Sequence, residues 1–219
     1  MARISDLLST SQGIIFAEDH RDPATPRHLA QQMRSLAKAG VKVLFTELFN
    51  DSAEHAQWLE AFDKDIPSEA VEAMKSHIDT IGHYYPPRTP DVYHELLQEA
   101  RANGIKLAGV PPARSSINPI GENNPRVAAH IAAEMKKYPP ATKYALYCGK
   151  DHTHAGNEEN MSMDQARGID LILGAPCVML ASAVNSGKTG ESALLAHGHY
   201  PNTYHLVPCE PRLGYARKF

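Results

Sequence analysis

Four short polar segments of this chain follow directly on apolar runs, and each carries acids, imidazoles or a guanidinium. Gly13-Ile14-Ile15-Phe16-Ala17 leads into Glu18-Asp19-His20, and Val41-Lys42-Val43-Leu44-Phe45 into Thr46-Glu47, then Asn50-Asp51. Ile105–Val110 is followed by Pro111-Pro112-Ala113-Arg114, and Tyr144–Cys148 by Gly149-Lys150-Asp151-His152-Thr153-His154. An imidazole titrates near neutral pH and can take a proton from water. Carboxylates beside it orient the ring and hold up its pKa, and an arginine can stabilise a developing oxyanion. The pattern predicts a hydrolytic site of Glu18, His20, Glu47, Arg114 and His152, with His20 or His152 as the general base.

Each residue alone has a plainer role. Glu18 could cap a turn, Glu47 could be an ordinary strand-end carboxylate, His20 a loop histidine, and Arg114 a neutraliser of nearby acids. Their joint placement favours a site, because clustered ionisable groups desolvate one another at a cost usually retained for function.

His152 and His154 form H-x-H, which in an extended segment turns both rings to one side, as two ligands of one metal require. With His20, Glu18 and Glu47 they would make a mixed nitrogen and oxygen site for manganese, cobalt or zinc. No C-x-x-C or H-E-x-x-H is present. Ser186-Gly187-Lys188-Thr189 has the end of a phosphate-binding loop, but Ser182 stands where that pattern needs glycine, and no helix is expected to follow directly.

These segments need a scaffold that collects them. Short apolar runs alternate with helical patterns, so the chain is expected to be α/β, with a mostly parallel central sheet and helices on both faces. Strands are expected at 13–17, 41–45, 105–110, 144–148, 177–181 and 204–207. In open parallel sheets, ligands bind beyond the carboxyl ends of the strands, which is where the polar segments fall. Thr25-Pro26 reads as a cap and first turn of one helix, with Leu29, Met33, Leu36 and Ala37 on one face and Gly40 at its end. Residues 50–90 break the rhythm. Helical stretches around Ala56–Phe62 and Ser68–Ile81, then Tyr84-Tyr85-Pro86-Pro87, predict a helical insertion over the site end of the sheet. Tyr93, Leu96, Leu97 and Ala100 restore a helix stopped at Gly104. Asn124-Pro125 is expected to start another helix, and 164–173 to be helical. Residues 1–219 read as one domain without repeats.

Composition narrows the partners. Net charge is −3 and pI about 6.4, so no broad basic field attracts nucleic acid or anionic lipid. No apolar window approaches the ~20 residues of a membrane span, and the N-terminus lacks a signal-peptide core. Cys148, Cys177 and Cys209 read as reduced thiols, placing the chain in cytoplasm before any export.

Phe16-Ala17-Glu18-Asp19-His20, a helix with His28 and Gln31, then Val43-Leu44-Phe45-Thr46-Glu47 resembles the superfamily of erythromycin esterases, ChaN-type haem-binding proteins and Tiki/TraB proteins. Its opening signature is a strand, Gly-Glu-x-His, a helix, and a strand ending in glutamate; Ala17 stands here in the glycine position. Leu97–Ile105 through Arg114 looks like the ChaN-type helix, strand and loop arginine. Tyr147-Cys148-Gly149-Lys150-Asp151-His152 looks like the second histidine motif, with Lys150-Asp151 in place of small residues.

The resemblance implies a shared scaffold with divergent chemistry: metal-free hydrolysis in the esterases, metal-dependent proteolysis in Tiki proteins, haem binding in ChaN proteins. It also implies kinship with bacterial toxins and type III effectors, so export into a host cell is expected, with a small molecule or host protein as substrate. Two alternatives stand beside hydrolysis. One is a haem- or small-ligand-binding protein using Tyr84-Tyr85 as an axial or stacking contact. The other is an effector whose output is recognition by a host immune receptor.

Overall fold

The apolar runs assemble into a seven-stranded sheet in the order β3-β2-β4-β1-β5-β7-β6. The strands are β1 (Gly13–Glu18), β2 (Val41–Asn50), β3 (Lys106–Val110), β4 (Lys143–Gly149), β5 (Cys177–Leu180), β6 (Ala193–Ala196) and β7 (Thr203–Val207). Six are mutually parallel, and β6 runs antiparallel to β7 at one edge. The computed structural model describes residues 3–20, 22, 25–84, 90–112, 119–155, 167–180, 193–196, 199–200 and 202–207. Arg114, the Tyr85-Pro86-Pro87 turn, Ser186–Thr189 and Cys209 lie outside them.

β1 is buried along its whole length, which explains why it reads as one unbroken apolar run. Its side chains alternate between two cores. Ile14 and Phe16 join Leu44 beneath helices that include α1 (Ile4–Thr10), α2 (Thr25–Ala30) and α3 (Met33–Lys38). The same core takes in α4 (Ala53–Asp63), α5 (Glu69–Tyr84) and α6 (Pro90–Ala102) through Leu59, Met74 and Leu96. Ile15 faces the other way with Val43 and Phe45, against Val127 and Ile131 of α7 (Pro119–Met135) and Ile169 of α8 (Ile169–Leu173). Helices therefore cover both faces. The 50–90 insertion is α4 and α5, and His55, His77 and Ile81 from it line a cavity at the strand tips.

Three local expectations are corrected. The helix from Thr25 to Gly40 is two short helices, because the chain tightens at Gln31-Gln32, where the Gln32 N–H reaches back only to Leu29 O at 2.8 Å. Leu29, Met33 and Leu36 still share the buried face. α7 starts at Pro119, with Pro125 inside it, and Asn124 is spent on tertiary contacts rather than a cap. The antiparallel β6 adds an edge that no alternating pattern announced.

Asp63 ends α4 with its carboxyl half-buried. Desolvation raises its pKa to about 6, against the opposing pull of Lys106 and Arg101. The fold thus prefers the protonated acid. That contribution is full below the ordinary carboxylate value of 3.8 and is lost as pH rises through about 6. Asp63→Asn is expected to stabilise the protein near neutral pH by about 1 kcal/mol after allowance for solvent screening, and to flatten stability across that window. Urea denaturation at several pH values measures it; an unchanged profile would contradict the burial of this carboxyl.

Candidate functional site

The sheet order determines what meets at its carboxyl end. β4, late in the chain, lies between β1 and β2, so Glu18, Glu47 and the turn after Gly149 come from three adjacent strands. A cavity of about 550 Å³ opens above them, and Glu18, His20, Glu47 and His152 all line it. Leu48, Phe49, Tyr93, Val110 and Ile120 supply apolar wall, so the cavity is less polar than its acids and imidazoles alone would make it.

Glu18 ends β1 and is only 2% exposed. A carboxylate this buried needs donors, and it has several. Tyr147 donates its hydroxyl to Oε2, Thr25 Oγ1 donates to the same oxygen at 3.3 Å, and His20 Nδ1 lies 2.7 Å from Oε1. A carboxylate can only accept, so the His20 proton sits on Nδ1 and its Nε2 turns outward, 3.6 Å from Glu47 Oε1.

Glu47 lies in β2 and accepts the Gly149 N–H on Oε1 at 2.8 Å, while Oε2 is 3.6 Å from His152 Nε2. One carboxylate thus faces two imidazoles, one oxygen to each. Gly149 is required by this crowding: a Cβ there would lie 2.7 Å from His20 Nε2 and 3.4 Å from Glu47 Oε1.

His152 closes a 3-10 turn, Lys150–His152, and its Nδ1 lies 2.7 Å from Asn124 Oδ1. Asn124 is fully buried, and its Nδ2 donates to His152 O at 3.0 Å and Arg167 O at 3.1 Å. That orients the amide: Oδ1 must accept, so His152 also carries its proton on Nδ1 and directs Nε2 at Glu47. Asn124→Ala would leave two carbonyls and one ring nitrogen without this partner. It is expected to cost about 1–3 kcal/mol in urea denaturation, and an unaffected midpoint would contradict the assignment.

Not every expected residue joins the group. The 3-10 turn replaces the extended geometry that H-x-H requires, and His154 parts from His152. Its backbone N–H goes to Asp170 Oδ1 at 2.8 Å, and its ring meets Tyr200 edge-on at 5.5 Å. The set His20, His152 and His154 is therefore not a group gathered to hold a metal among the described residues. Among the described residues, the group that could hold a divalent ion is Glu18, His20 and Glu47, with ligand atoms within 4.8 Å of one another. Beside the site, Lys150 Nζ pairs with Asp19 Oδ2 at 3.0 Å. Cys148 and Cys177 are buried and their thiols are pushed well up by desolvation, so neither is a ready nucleophile.

Sequence reasoning passed over Tyr147, Thr25 and Asn124. Each had a signal that local rules absorbed: Tyr147 as a strand aromatic, Thr25 as a cap, Asn124 as a helix start.

No family model matches the chain, and no curated protein matches it. Solved structures do. A structure of bacterial protein toxins aligns at TM-score 0.60 and 17% identity over 82% of this chain and 36% of that one. The MARTX toxin effector domain RRSP of Vibrio vulnificus CMCP6 aligns at 0.57 and 19%, over 82% and 35%. This chain therefore spans about a third of those two. The type III effector HopBA1 aligns at 0.59 and 18%, over 94% of this chain and 92% of that one. The chain has the fold of bacterial toxin and effector domains.

Proposed function

We propose that this chain is a hydrolase that acts in host cells as a bacterial effector or toxin. The observation that carries the reading is the doubly addressed carboxylate: two imidazoles, each locked through Nδ1, present Nε2 to the two oxygens of Glu47 in one cavity. A structural ion pair would need only one histidine, whereas two imidazoles facing one carboxylate can serve as base and acid. The toxin and effector neighbours support the host setting, and the Glu18-x-His20, Glu47 and His152 pattern supports a link to erythromycin esterase and ChaN-type proteins.

His20, backed by the buried carboxylate of Glu18, is the general base, in the arrangement where an acid orients an imidazole and stabilises its charge. It takes a proton from water at Nε2 while the water oxygen attacks the substrate carbonyl carbon. His152 serves as the general acid, giving an Nε2 proton to the leaving group as that bond breaks. Glu47 stabilises whichever imidazole is positive and lies between them for the proton's return. Arg114, which follows Pro112 of the cavity rim in sequence, is the proposed partner of the oxyanion.

The test offers purified protein a panel of fluorogenic esters and amides, and a host-cell extract read by mass spectrometry for products that have gained water. Hydrolysis that requires Glu47 supports the reading. Undiminished hydrolysis by a folded Glu47→Gln protein would remove it.

Among the described residues, no helix is long and apolar enough to cross a membrane.

A further inference from the structure

β2 does not run straight past Glu47. Thr46 pairs with Gly109 and Asn50 with Val110, so Glu47, Leu48 and Phe49 bulge out between two consecutive residues of β3. A bulge takes backbone groups out of the ladder, and buried ones need other partners. Side chains supply them. The Leu48 N–H goes to Thr46 Oγ1 at 3.2 Å. Leu48 O lies 2.8 Å from His77 Nε2, and the Asn50 N–H lies 2.9 Å from His55 Nδ1. Both histidines come from the inserted helices, and both line the cavity that holds Glu47.

The two rings differ in what they do. His77 donates from Nε2 to a carbonyl, and it can do so neutral or charged. His55 accepts at Nδ1, and it can do so only while that nitrogen has no proton. His55 is 7% exposed, sits in the capped first turn of α4, and its ring packs tilted against His77 at 4.8 Å and Trp58 at 4.4 Å.

We propose that His55 and His77 are positioning residues that hold the bulge carrying Glu47, and that His55 releases the Asn50 end of it when its ring is protonated. The inference goes beyond the hydrolase reading by giving that site a proton-dependent support outside its acid–base pair.

The surroundings fit. Burial first, then the neighbouring His77, push the His55 pKa below its ordinary 6.5, with Glu54 on the same helix opposing. Tyr93 from α6 and Glu18, His20, Glu47 and His152 from the strand tips are the other titratable groups on the cavity. Asp51, next to Asn50, lies 3.8 Å from His130. The fold favours neutral His55, so this contribution is present above 6.5 and is lost as pH falls through the lower folded value.

Trp58 is the single tryptophan; a charged imidazole packed against an indole quenches its emission, and the His55 ring lies at 4.4 Å and the His77 ring at 5.6 Å. Emission is expected to fall as the protein is taken from about pH 8 to about pH 5, with the midpoint displaced to the acid side of an ordinary histidine. The Asn50 amide resonance should move with the same midpoint. His55→Asn keeps an acceptor but cannot titrate, so the Asn50 transition should vanish, and any emission change that remains belongs to His77. In the wild type, nitrogen NMR should find His55 Nδ1 unprotonated near neutral pH, a measurement that needs no variant. A protonated Nδ1 there, a static Asn50 amide, or an Asn50 transition that survives His55→Asn would each overturn the proposal. None of these readouts uses a substrate, so they stand or fall apart from the hydrolase reading.

Discussion

Glu47→Gln is expected to lower turnover by about 10²- to 10⁴-fold on whichever ester or amide the panel identifies, with the fold unchanged. Glutamine keeps the shape and an Oε1 that can still accept the Gly149 N–H. What it loses is charge. Both imidazoles lie 3.6 Å from that carboxylate, and each becomes positive at some point in the proposed cycle. In a cavity partly walled by Leu48, Phe49 and Val110, water replaces the missing counter-charge only in part, since the side chains of Glu47, His20 and His152 are 27%, 36% and 20% exposed. Steady-state rates at fixed pH, with circular dichroism to confirm folding, measure the effect. A loss appearing only in KM would point instead to substrate binding at Glu47 and would remove it from the chemical step.

The second large effect is on stability. Gly109→Ala is expected to cost about 2–4 kcal/mol, because its Cβ would fall on the Asn50 carbonyl and crowd that of Phe49. These are backbone atoms of the bulge, so no rotamer change relieves the contact. The bulge would have to open, taking Glu47 from its Gly149 bond, so hydrolysis should fall together with the urea midpoint. A Gly109→Ala protein with the wild-type midpoint would contradict the close passage of β2 over β3.

Strand identity was legible because burial on both faces leaves unbroken apolar runs, as at Gly13–Ala17, and the polar residues ending those runs stood out against them. Strand order was not, since nothing local places β4 between β1 and β2. Asn124 before Pro125 satisfies every local rule for a helix start, yet a longer-range demand, two carbonyls and an imidazole, claims its amide. His152 and His154 would share a side only in an extended segment, and the turn over Lys150–His152 removes that condition. His55 and His77 carry no motif at all. Their role depends on backbone groups exposed by a bulge, which side-chain patterns do not record.

The placement of β4 has a consequence for how the protein matures. Tyr147 meets Glu18 across 129 positions of chain, and Gly149 meets Glu47 across 102. Such distant pairings form slowly, because loop closure must be accomplished before any contact rewards it. A chain emerging in order from a ribosome holds Glu18, His20 and Glu47 without the strand that belongs between them. The proposed site would then be completed late and abruptly, when β4 inserts, and shorter nascent forms would lack it.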